Sequence, residues 1–221
     1  MTRRSRALLA LPLFGALACV APRPSDTVVV DAYRRYAQGD CAAVKALLEG
    51  TDFSGQGAER KPLFELLQGY CLELAGDVSG AKTLYASVIA HAPRTVQGFE
   101  AALRLRDIKR LELQGTSREE FNQRITQQWE TPLYKHGVKP IHRMDPTYPS
   151  AINAAHIAGR VVVDFEISNE GTVVDPIVVI TEPPFVFDGS ALAAVRHWIY
   201  EPSTTGERKR VAVVLAFKLR D

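Results

Sequence analysis

The chain has 221 residues, 46% of them apolar and 24% charged, with a formal charge of +2. That describes a globular protein of one or two domains, able to bury a real core. Three positives are Arg3, Arg4 and Arg6, and without them 24 Lys and Arg (27 less 3) face 25 acids; the near-neutral remainder speaks against a nucleic-acid-binding face.

The first segment reads as a targeting signal. Arg3, Arg4 and Arg6 precede an apolar run from Ala7 to Ala21. The run has 15 residues, short of the roughly 20 that a spanning helix needs, so a secretory signal is expected rather than a permanent span. Ala16-Leu17-Ala18-Cys19 resembles a bacterial lipobox, with alanine where leucine is commoner three residues before the cysteine. The resemblance implies a signal peptide over residues 1–19 and a lipid on Cys19. With Val20 rather than aspartate next, it also implies delivery to the outer membrane. The plain alternative is an ordinary signal cut near Ala18 or Ala21.

Residues 22–27 form a short tether, and from Val28 to about residue 131 the pattern is helical. Ala32-Tyr33, Gly39-Asp40, Val44-Lys45 and Leu48 return as Gly69-Tyr70, Gly76-Asp77, Ala81-Lys82 and Tyr85, an offset of 37 residues. In each unit a Gly-Asp turn separates two helices, and Asp40 or Asp77 caps the second. Pro93 ends the second pair. The units resemble tetratricopeptide or Sel1-like repeats, whose usual period is about 34. A helix over about Thr95 to Leu113 follows, then a capping box, Ser117-Arg-Glu-Glu120, opens another to about Glu130. Cys41 and Cys71 belong to no CxxC pair, which disfavours redox catalysis and a zinc site. In an oxidising periplasm they are compatible with one bridge or with two buried thiols.

Residues 132–145 carry Gly137 and Pro140 without a clear period and read as a linker. A small domain follows over residues 146–221. Tyr148-Pro149 leads into a short helix, Ser150 to Ala155. The strand from Val161 to Ile167 places Val161, Val163, Phe165 and Ile167 on the buried face, with Asp164 and Glu166 on a solvated one. Asn169-Glu170-Gly171 makes a hairpin turn, and Pro176 marks the next strand as bulged or at an edge. A helix is expected from Phe187-Asp188 with Asp188 as its N-cap and Leu192, Val195 and Ile199 on one face, Trp198 beside them in the core. The last strand alternates through Leu219. The fold expected is therefore a helical-repeat domain followed by a small α+β domain, a three-stranded antiparallel sheet with two helices.

Tyr148-Pro149, Ala155, Gly159, the Val161–Ile167 strand, Gly171, Phe187-Asp188, Trp198, Tyr200-Glu201-Pro202 and Phe217 together resemble the TonB C-terminal domain. The resemblance implies a non-enzymatic periplasmic protein that binds a short peptide of an outer-membrane transporter, or of another envelope protein, by strand addition. It implies a pairing edge made of Val211, Ala212, Val213, Val214, Leu215, Ala216 and Phe217. It also implies peptide contact by Arg143, Met144, Asp145, Pro146 and Thr147, just before the Tyr-Pro pair. The same edge would allow two copies to pair as a homodimer. Energy-transducing members carry an N-terminal spanning helix and a long Pro-rich spacer. Here the prolines are scattered and helical repeats fill the interval, so peptide binding is expected without force transmission. A lipid-anchored scaffold whose repeats bind a protein partner is the competing expectation. Catalysis is not expected: His91, His136, His142, His156 and His197 form no HExxH or other close metal pair, and no phosphate loop or Gly-x-Ser-x-Gly elbow occurs. No cofactor, metal or nucleic acid is implied.

Overall fold

The computed structural model describes residues 26–131, 134–135 and 137–219. Six helices come first: α1 (Asp26–Ala37), α2 (Cys41–Gly50), α3 (Lys61–Leu74), α4 (Val78–His91), α5 (Val96–Gln114) and α6 (Arg118–Gln128), with a 3-10 stretch, Gly55–Arg60, before α3. The two Gly-Asp turns have the same geometry. Gly39 and Gly76 sit at φ of 76° and 84°, in the left-handed region that glycine enters without steric cost. Asp40 then accepts from the Ala43 N–H at 3.0 Å, and Asp77 from the Gly80 N–H at 2.9 Å. Ser117 and Glu120 form the reciprocal capping box of α6. Cys41 and Cys71 are joined by a disulfide, which ties the start of α2 to α3.

The second part runs α7 (Ser150–Ala154), β1 (Gly159–Ile167), β2 (Val173–Glu182), α8 (Asp188–Val195) and β3 (Lys209–Phe217). The three strands form one antiparallel sheet in the order β2-β1-β3, the architecture expected from the sequence. Gly171 turns the hairpin at φ 84°, where a Cβ would collide with the Tyr200 carbonyl. Pro176 lies in β2, an outer strand. Next to it Asp175 adopts φ 45° and the β1–β2 register shifts between Asp164 and Glu166, as a strand interrupted by proline requires.

One face of the sheet, with Val161, Val163, Phe165, Leu215 and Phe217, packs on α8 residues Ala191, Leu192 and Val195 and on Trp198 and Tyr200 in a core continuous with the helical region. Tyr36, Tyr70 and Phe185 carry that core across: Tyr70 and Phe185 ring centres lie 5.3 Å apart, and the Tyr36 hydroxyl donates to the Pro184 carbonyl at 2.9 Å. Part of the other face is covered too. Phe121 and Ile125 of α6 pack with Ile177 and Val179, with Trp129 alongside.

That second cover overturns one sequence expectation. Asp164 does not face water; it is fully buried. Two smaller corrections concern α8. Asp188 is its first helical residue, not its cap, and is buried 3.6 Å from the Arg104 guanidinium. The helix ends at Val195, so Ile199 leaves the apolar face. It makes backbone bridges to His142 and Thr172 instead, with its side chain exposed.

Candidate functional site

β3 pairs with β1 over its whole length, from Lys209 opposite Ile167 to Phe217 opposite Gly159. In an antiparallel ladder, successive residues turn their N–H and C=O to opposite neighbours. The Lys135 N–H donates to the Arg210 carbonyl at 3.0 Å, so Arg210 faces away from β1. By alternation the backbone groups of Ala212, Val214 and Ala216 face away as well, whereas Val211, Val213, Leu215 and Phe217 pair inward. The expected edge residues thus divide. Ala212, Val214 and Ala216 present donors and acceptors. Val211, Leu215 and Phe217 anchor the strand with buried side chains. Val214, a large apolar side chain beside this rim, is 63% exposed.

The segment between the helical region and α7 brackets the edge at both ends. Near its start, Tyr134, Lys135, Gly137 and Val138 line a groove with Ala212 and Val214. Near its end, Arg143, Asp145, Pro146, Thr147 and Tyr148 line a second groove, about 570 Å³, with Leu215, Ala216, Phe217 and Leu219. The structure therefore brings the two expected sets of site residues together, with Met144 as the exception: its side chain turns to a neighbouring groove.

Aromatic side chains fix this arrangement. Trp198 Nε1 donates to the Met144 carbonyl at 2.8 Å, and the Arg143 guanidinium lies 4.9 Å from the Trp198 ring centre. The Tyr148 ring meets Phe187 and Phe217 edge-on at 5.6 and 5.9 Å, while those two stack at 4.2 Å. At the other end Asp164 is the fastener. It accepts from Trp129 Nε1 at 3.2 Å, from the Tyr134 hydroxyl and from Arg210 Nη2 at 2.5 Å. Burial pushes the Asp164 carboxyl up while these donors pull it back. Burial likewise raises the Tyr134 hydroxyl to about 12. Sequence reasoning missed Asp164, because strand alternation alone assigns it to water. Trp129 and Tyr134, two aromatics in and beside an aperiodic stretch, were the available signal that the second face is covered.

Cys19 lies outside the described residues. Among the described residues, no group of three or more His, Cys, Asp or Glu side chains is placed to hold a metal ion. A charged cluster that the sequence did not single out, Glu73, Glu100, Arg104 and Asp188, is buried between the helical region and α8.

The segment from Met144 to Leu219 thus carries a sheet with one bracketed edge. Residues 144–219 match the family model for the Gram-negative bacterial TonB protein C-terminal. Protein TonB of Escherichia coli K12 is similar at 30% identity over 83 residues, 38% of this chain and 34% of that protein. Protein TonB of Pseudomonas aeruginosa is 35% identical over 69 residues, 31% of this chain and 20% of its own. Among solved structures, the solution NMR structure of the Pseudomonas aeruginosa TonB CTD is 29% identical, covering 39% of this chain and 91% of that one, with a TM-score of 0.35. The chain spans about a third of the length of one of these curated relatives and a fifth of the other. The family match covers residues 144–219, and α1 to α6 lie outside it.

Proposed function

We propose that this is a non-enzymatic periplasmic protein of TonB-dependent transport, capturing an extended segment of an outer-membrane transporter as a fourth strand beside β3. The observation that carries the reading is the outward orientation of Ala212, Val214 and Ala216. Among the described residues, only Lys135 pairs with that side of the strand, at Arg210. Strand addition uses such unclaimed main-chain groups for affinity and flanking pockets for selectivity, and the grooves at both ends supply the pockets. The family match over residues 144–219 supports the transporter as partner. We further propose that a lipid on Cys19 holds the chain at the outer membrane, and that its role is capture rather than force transmission.

The test is a titration of the full chain with a transporter-derived strand peptide, read at backbone amides. At the micromolar affinity fitting so small an interface, the amides of Ala212, Val214 and Ala216 shift most. Absence of shifts at millimolar peptide rejects strand capture. Replacing Cys19 with serine releases the protein from the membrane fraction if the anchor is a lipid; unchanged fractionation rejects it.

A second reading, a scaffold that binds a partner through its helices, is favoured by one observation. A groove of about 1120 Å³ lies between α3, α4, α5 and α6, walled by Leu74, Val78, Ile108 and Leu111. Because the helical core runs into the sheet, the two readings are best separated in the full chain. Leu111→Glu abolishes partner binding under the scaffold reading and leaves it intact under strand capture.

A further inference from the structure

A third groove, about 450 Å³, lies where the helical region meets the TonB-like segment. Val96 and Phe99 of α5, Ala193 and Ala194 of α8 and Met144 give it apolar walls, and Glu100 lines its floor. Val96, Phe99 and Met144 are exposed large apolar side chains, so the walls are open to an incoming group.

Glu100 is an unusual floor. It is only 7% exposed. Its carboxylate lies against Gly189, whose N–H bonds to it, in space that a Cβ on that residue would fill. The Oε2 atom has no hydrogen-bond partner among the described residues. Among the described residues, no cation sits within ion-pair distance of it either. Arg104, one turn further along α5, is engaged with Glu73 at 2.7 Å, Asp107 at 3.1 Å and Asp188 at 3.6 Å. The other titratable groups facing Glu100 are Asp188 of α8, Tyr33 of α1 and Tyr70 of α3, with Asp145 and His197 lining the same groove. A buried carboxylate oxygen without a donor is costly, and here the walls of the site are mostly apolar.

We propose that this groove receives a lysine side chain of the segment captured on β3, the apolar stem lying along Phe99 and Ala193 and the ammonium reaching Glu100. The inference rests on the strand-capture reading for its source of lysine. Lysine fits better than arginine: its compact ammonium can serve a single unpartnered oxygen, whereas guanidinium is suited to two. Its methylene stem covers apolar surface while the charge finds a polar end. Asp145 and Thr147 line both this groove and the one at the end of β3, so a segment leaving the edge passes the mouth, where Asp145 adds a second negative charge. Burial, with Asp188 beside it, pushes the Glu100 carboxyl up to about 8. An arriving ammonium displaces that proton, so the preference for lysine grows as pH rises from about 6.5 to 8.5, where the amine itself stays charged.

The experiment uses the full chain and two peptides, a Thr-Val-Thr-Val-Thr strand followed by Gly-Gly and either lysine or norleucine. The lysine peptide binds about tenfold tighter than its norleucine twin, shifts the amides of Gly189 and Ser190, and loses its advantage in Glu100→Gln. Ala193→Leu, which fills the groove and keeps the carboxylate, removes the same advantage. Equal affinities, with edge amides shifting and Gly189 silent, overturn the lysine site and leave strand capture standing. If neither peptide shifts the edge, strand capture fails, and N-acetyl-lysine methylamide decides the groove alone. Shifts at Gly189 that need Glu100 retain it, and their absence overturns it.

Discussion

Arg104 and Glu73 meet through two hydrogen bonds, Nη2 to Oε1 at 2.7 Å and Nε to Oε2 at 3.2 Å, with Arg104 only 1% exposed. The same guanidinium reaches Asp188 at 3.6 Å and lies 4.0 Å over the Phe185 ring. One side chain of α5 therefore joins α3 to the loop and helix that carry the sheet. Arg104→Ala leaves Glu73 and Asp188 buried with their principal counter-charge gone, and the expected loss is about 3–5 kcal/mol. Urea unfolding of the full chain measures it; a loss below about 1 kcal/mol would mean that the cluster is not what joins the two parts.

Glu100 gives the interface a pH dependence of defined sign. Its folded-state value, about 8, is set by burial and by Asp188 and lies above the ordinary 4.5. A raised carboxyl contributes its stability at low pH and loses it as pH climbs from about 4.5 through 8. Glu100→Gln removes that loss. The variant should melt a few degrees higher than the parent at pH 8.5, with the gap closing toward pH 5. A gap that stays constant across that range would rule out titration of Glu100 as its source.

How far such features were legible in the sequence follows from their physics. The Gly-Asp turns, the capping box and the Gly171 hairpin were readable because each depends on residues adjacent in the chain. Asp164, Glu100 and Arg104 were not, because what buries them arrives from distant segments: α6 over the sheet, and α8 against α5. Arg104 did carry a faint sign. It lies among Ala101, Leu103 and Ile108, all buried on α5, and a charge within such a cluster needs a partner. The edge set was legible as a strand, but which of its residues face outward required the Lys135–Arg210 bond.

The disulfide is a separate source of stability. Cys41 and Cys71 are 30 residues apart, and constraining an unfolded loop of that size is worth about 3.5 kcal/mol. Replacing both with alanine should lower the urea midpoint accordingly while leaving the β3 edge unchanged in its amide spectrum. An unchanged midpoint would mean that the bridge constrains nothing in the unfolded chain.

Two prolines test the orientation of β3. Val214 turns its N–H outward, so Val214→Pro should keep the fold and abolish peptide capture. Val213 turns its N–H toward β1, so Val213→Pro should destabilise the sheet itself. Circular dichroism and thermal melting separate the two. If Val214→Pro unfolds the protein and Val213→Pro does not, the alternation read from Arg210 is reversed.

The bulged, proline-bearing β2 has a consequence for assembly. Pro176 and Asp175 interrupt the β2 rim, and the Lys135 backbone is seated at the start of the β3 rim, so the proposed strand addition would take place beside the remainder of β3. The irregular β2 rim thus disfavours the copy-upon-copy stacking that leads to fibrils, which needs two regular rims on every molecule.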